Sequence, residues 1–108
     1  MAHSILEYGD RHITMRDMEL TAALEALHAA HVGDPAPELA FLPAFMSSGM
    51  LHITGGIDPE FGTHLSSPEA QAAFLDLIDR TQATAAAGDP VVGHLAKLRG
   101  LISGDTAA

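Results

Sequence analysis

Residues 4–15 carry the first readable pattern. Ile5, Leu6 and Tyr8 lead into Gly9-Asp10, and His12, Ile13 and Met15 lead out. Two short runs rich in β-formers around a two-residue Gly-X loop predict a β-hairpin with a type II′ turn. The period then lengthens. Leu20, Ala23, Leu24, Leu27, Ala30 and His31 share one arc at 100° per residue, whereas Asp17, Thr21, Glu25 and His28 lie outside it. This predicts an amphipathic helix with one buried face, running to about Val32 and closed by Gly33. Thr14, with Asp17 three residues on, has the form of a capping box at its start.

Residues 33–37, Gly-Asp-Pro-Ala-Pro, predict a loop, because each proline restricts the residue before it. The most apolar stretch follows: Leu39, Phe41, Leu42, Phe45 and Met46 predict a short helix broken near Pro43. Residues 50–54 predict a central strand, stopped by Gly55-Gly56. Residues 57–65 hold Pro59 and Gly62, and predict a loop with an edge strand.

The sequence Ser67-Pro68-Glu69 is a strong helix start: a capping hydroxyl, proline at the first helical position and an acid in the first turn. The helix it opens is expected to reach Gly88, burying Ala70, Phe74, Leu77, Ile78, Thr81 and Ala85, with Glu69, Asp76, Asp79 and Arg80 facing away. Asp89-Pro90 opens a last helix in the same manner, with Val91, Leu95, Leu98 and Ile102 on one stripe. A connection of one or two residues between them predicts an antiparallel helix pair. These elements give an α+β fold: a small, mostly antiparallel sheet made of the N-terminal hairpin and a central strand, packed by one amphipathic helix and the C-terminal helix pair. A single domain over residues 1–103 and a frayed tail over 104–108 complete the expectation.

Charge changes the picture most. Fourteen acidic side chains against five basic ones leave a formal net charge of −9 across 108 residues. Such a chain repels polyphosphate, so nucleic acids and anionic membranes are poor partners, and a basic protein surface is a good one. Apolar residues make up 47% of the chain, a globular composition. Cysteine is absent, which removes disulfides, thiol nucleophiles and thiolate metal sites. The longest apolar run, residues 39–46, is far short of a membrane span, and residues 1–10 lack the pattern of a signal peptide. A cytoplasmic protein is the expectation.

The candidate chemistry is sparse. Of seven histidines, His28 and His31 sit three apart on a helix, a spacing that lets two imidazoles reach one metal. His52, His64 or His94 would have to supply a third ligand, and the His-Glu-x-x-His pattern is absent. Core and surface roles account for these histidines better, and no metal or other cofactor is expected. Ser47-Ser48-Gly49 and Gly55-Gly56 match neither a phosphate loop nor a dinucleotide fingerprint, and no Gly-x-Ser-x-Gly elbow marks a nucleophile. Catalytic residues are therefore not assigned. Gly93, Ala96 and Gly100 form a strip of small side chains on the last helix, suited to a close helix contact within the chain or across a homodimer. The function that charge and patterning favour is a small acidic protein-binding module of inhibitor, immunity or adaptor type. Asp58, Glu60, Asp76 and Asp79 are its candidate charged contacts, and Leu75, which falls off the core arc, its candidate apolar anchor. A histidine-based metal- or ligand-binding protein, possessing enzymatic activity in one version, is the alternative.

Overall fold

Gly9, at φ 64°, closes the hairpin. Asp10 keeps a negative φ, so the pair has the φ signs of the type II′ turn expected of Gly-X. The computed structural model describes residues 3–48 and 57–104. Strand β1 (His3–Tyr8) pairs antiparallel with β2 (Arg11–Arg16), with Tyr8 opposite Arg11 and His3 opposite Arg16. Alternation turns Ser4 and Leu6 inward from β1 and Met15 inward from β2, while Ile5, Glu7, His12 and Thr14 face solvent.

Strand β2 passes without a loop into helix α1 (Asp17–Gly33). The cap differs from the one predicted. Arg16 is the N-cap residue, and the Glu19 carboxylate accepts from its backbone N–H at 3.1 Å. Thr14 stays in the strand, because continued pairing with Ile5 holds it extended. The predicted core arc is borne out: Leu20, Ala23, Leu24, Leu27 and His31 are buried, and Ala30 packs against the core.

A 3₁₀ turn (Pro37–Leu39) leads into α2 (Phe41–Ser47). Pro43 does not break this helix. It occupies the first turn, where a backbone N–H has no intrahelical acceptor and its loss costs nothing. The predicted strand at 50–54 lies outside the described residues. The stretch expected to be loop and edge strand instead contains a single helical turn, α3 (Phe61–His64). Ile57, Pro59, Phe61 and Leu65 are all buried, and the single turn of α3 carries the chain from Phe61 to Leu65 with both on the core side.

Helix α4 (Pro68–Thr84) begins as predicted, with Ser67 Oγ accepting from Ala70 N at 3.1 Å. It ends four residues before Gly88. Ala85 adopts extended backbone, and residues 85–90 form the connection to α5 (Val91–Ser103), longer than the one or two residues expected. The helix pair is nevertheless antiparallel. Gln82, Asp79 and Gln71 of α4 bond in turn to Val92, Arg99 and Ile102 of α5, so one numbering falls as the other rises. The architecture among the described residues is α+β: one hairpin laid against five helices.

One core joins the elements. Leu6 and Met15 of the hairpin meet Leu24 and Leu27 of α1, Leu42 of α2, Phe61 of α3, Phe74 and Leu77 of α4, and Leu98 and Ile102 of α5. Phe61 and Phe74 pack at 5.2 Å between ring centroids, with Phe41 edge-on to Phe61 at 6.4 Å. No helix among the described residues is long and apolar enough to cross a membrane.

Candidate functional site

The acidic surface is shaped by where the few cations go. Arg80 reaches Asp76 Oδ2 at 2.9 Å along α4 and Asp34 Oδ2 at 3.4 Å beyond the end of α1. Arg99 of α5 meets Asp79 of α4 at 2.9 Å. Lys97 and His94 of α5 both lie 3.8 Å from the Glu19 carboxylate of α1. Arg11 spends its guanidinium on the carbonyls of Leu101 and Ile102. Four of the five Lys and Arg side chains are thus engaged by the chain's own acids or carbonyls.

These contacts leave a mark on two carboxyls. The hydrogen bond from Arg99, followed by its charge, holds Asp79 below its usual value of 3.8, against the opposing effect of burial. Glu19 is held below its usual 4.5 first by the Arg16 backbone N–H; burial opposes this, and Lys97, His94 and Arg16 reinforce it. Both carboxyls are consequently ionised wherever the protein is folded at neutral pH.

The four predicted charged contacts divide into two groups. Asp76 and Asp79 are exposed on α4, as the helical period requires, but each already faces an arginine. Asp58 and Glu60 are exposed in the turn before α3, and neither meets a cation among the described residues. There the Asp58 carboxylate accepts from the Glu60 backbone N–H at 2.9 Å, and Glu60 sits in the left-handed region at φ 54°. Leu75 is half-buried and packs against the core, so little of it stands free as an anchor.

The histidines are dispersed. His31 is buried, and its Nε2 accepts from the Ala36 backbone N–H at 3.1 Å, with the Ala36 carbonyl oxygen 3.2 Å away. It pins the loop after α1. His28 is half-buried one turn earlier. His94 lies beside Glu19, itself twelve positions, or about 18 Å of helical rise, from His31 along α1. His64 stacks on Phe41 at 4.6 Å with nearly parallel rings. His52 lies outside the described residues. No group of three His, Asp or Glu side chains among the described residues is arranged to hold a metal ion. On α5, Gly93 and Ala96 are exposed and Gly100 half-buried, and a Cβ at Gly93 would meet open space. No close contact among the described residues explains that glycine.

Sequence patterning did not reveal the polar clips that fasten the hairpin. Ser4, buried in β1, donates to Asp17 Oδ1 at 2.7 Å and accepts from the Ile57 backbone N–H at 3.0 Å. Tyr8 donates to the Leu65 carbonyl at 2.6 Å and accepts from Gln71 at 3.0 Å. An isolated serine or tyrosine within a strand carries no signal of such a partner. No family model, no curated protein and no solved structure matches this chain.

Proposed function

We propose that the protein is a small acidic protein-binding module, of inhibitor, immunity or adaptor type, that occupies a basic surface of a partner protein. The observation that carries this reading is the commitment of Arg11, Arg80, Lys97 and Arg99 to internal contacts in a chain of net charge −9. A partner approaching the surface meets an excess of unneutralised carboxylates and few cations free to attract its acids. Such a field speeds encounter with a positive surface and turns away anionic competitors. Asp58 and Glu60 contribute more than Asp76 and Asp79, whose charge Arg80 and Arg99 already offset.

The test begins with the immobilised protein, the soluble extract of its source organism, and mass spectrometry of what is retained. Stopped-flow association with the purified partner across a salt series then decides the matter. Converting Asp58, Glu60, Asp76 and Asp79 to Asn or Gln should slow association by about tenfold and flatten its salt dependence. An association rate indifferent to salt and to all four substitutions overturns the reading.

A further inference from the structure

Helix α1 is apolar on two opposite faces. Its inner face is the core arc already described. Its outer face carries Met18, Ala22, Glu25, Ala29 and Val32, all exposed, at successive spacings of four, three, four and three residues. Met18 and Val32 are among the most exposed large apolar side chains, at 68% and 63%. That spacing is the seam of a helix–helix contact: every residue falls on one line that a neighbouring helix can follow. The line runs about 21 Å from Met18 to Val32. A surface helix of a globular protein normally turns charge outward along this line. Here four of the five positions are apolar, and two are alanines, which let a second backbone approach closely.

We infer that the outer face of α1 is the docking surface of this protein, and that its occupant is a basic amphipathic helix of the partner. The inference rests on the acidic-module reading above and gives it a location. The charge of the occupant follows from Glu25, the one ionised side chain of the seam and its middle member. A partner helix lying along the line sets a residue against that carboxylate among apolar neighbours, and a lysine or arginine is what satisfies it. The same residue argues against a second copy of this chain. With Glu25 at the centre, in-register pairing of α1 with itself, parallel or antiparallel, sets two carboxylates against each other. It also brings together two chains of charge −9. Lys97 is drawn to Glu19 and Arg80 to Asp34 and Asp76 rather than to Glu25.

The test uses the whole protein and a synthetic helical peptide of about 20 residues, long enough to span the seam, with lysine at the central seam position that meets Glu25, leucine at the other seam positions and lysine elsewhere. Its counterpart carries glutamate in place of lysine. Binding is followed by calorimetry at moderate salt and mapped by amide chemical-shift changes. The basic peptide should bind, the glutamate peptide should not, and the shifts should centre on residues 18–32. Ala22→Gln and Ala29→Gln, exposed helical positions at which folding is checked by circular dichroism, should each weaken binding about tenfold. Glu25→Lys should weaken the basic peptide similarly and admit the glutamate peptide. Absence of binding overturns the inference, and the functional reading is then judged by the salt series alone. Shifts centred on Asp58, Glu60 and α4, with the α1 variants unaffected, overturn the location while leaving the acidic-module reading intact. A protein dimeric by sedimentation that Ala29→Gln renders monomeric overturns the choice of occupant.

Discussion

Arg11 donates from Nε to the carbonyl of Leu101 at 2.9 Å, ninety residues away, and from a terminal nitrogen to the carbonyl of Ile102 at 3.1 Å. The hairpin thereby supplies donors that the last turn of α5 lacks, since carbonyls at a helix C-terminus have no intrahelical partner. The chain's first folded element caps its last one. Arg11→Ala should lower the unfolding free energy by about 1.5–3 kcal/mol, as expected for a hydrogen bond from a charged group. Arg11→Lys should recover only part of this, because an ammonium does not reproduce the two-donor fork. Chemical denaturation of both variants measures the difference, and equal stability of Lys and Arg would show that charge alone matters.

Ser4 holds a second long-range clip. Ser4→Ala leaves the buried Ile57 N–H and one oxygen of Asp17 without the hydroxyl that joins them. The expected loss is about 1–3 kcal/mol, read from urea unfolding, although only one oxygen atom has been removed.

Leu24 and Leu27 are fully buried on the inner face of α1. Alanine at either should cost about 2–5 kcal/mol, the range for a cavity in a packed core. Denaturation showing both below about 1 kcal/mol would mean that α1 presents a different face to the core.

Glu60 holds a left-handed backbone that an L side chain adopts at a cost, at φ 54°. Glu60→Gly removes the Cβ responsible and makes the unfolded chain more flexible, two effects of opposite sign. The net expectation is a gain of up to about 1 kcal/mol, measured by thermal unfolding. A loss of similar size would show that the Glu60 side chain makes a stabilising contribution exceeding the strain.

Glu19 sets a pH dependence. Its carboxyl is held below 4.5 in the folded state, chiefly by the Arg16 N–H. The unfolded chain therefore binds this proton more readily, and the stabilisation is complete above the usual glutamate range. It is lost as pH falls from about that value through the lower folded one. Asp79 behaves alike below 3.8, through Arg99. Unfolding measured at steps from neutral pH downward should show stability falling through the acid range, less steeply in Glu19→Gln. An unchanged slope in that variant would mean that the shift lies elsewhere.

Much of this protein was determined by its sequence alone, for a local reason. Gly9-Asp10 sets its own turn. Ser67-Pro68 sets its own helix start, with Ser67 Oγ capping Ala70 as expected, and the arcs of α1 and α4 follow from a 3.6-residue period that neighbours along the chain suffice to write. The structure departs from the sequence pattern where distant residues decide. The cap moved from Thr14 to Arg16 because cross-strand pairing with Ile5 outranked local propensity. The turn at α3 formed because Ile57, Phe61 and Leu65 had a core to enter. For the site, sequence showed that Asp76 and Asp79 would be exposed by helical period and Asp58 and Glu60 by their place in a loop, and both signals are local. The Asp76–Arg80 pair, four apart on one helix, is also local; only the tertiary structure brought Arg99 of α5 to Asp79. It also showed that the second apolar line of α1, from Met18 to Val32, stays exposed. A sequence records which residues are apolar. Which of those faces remains exposed depends on what the rest of the chain packs against.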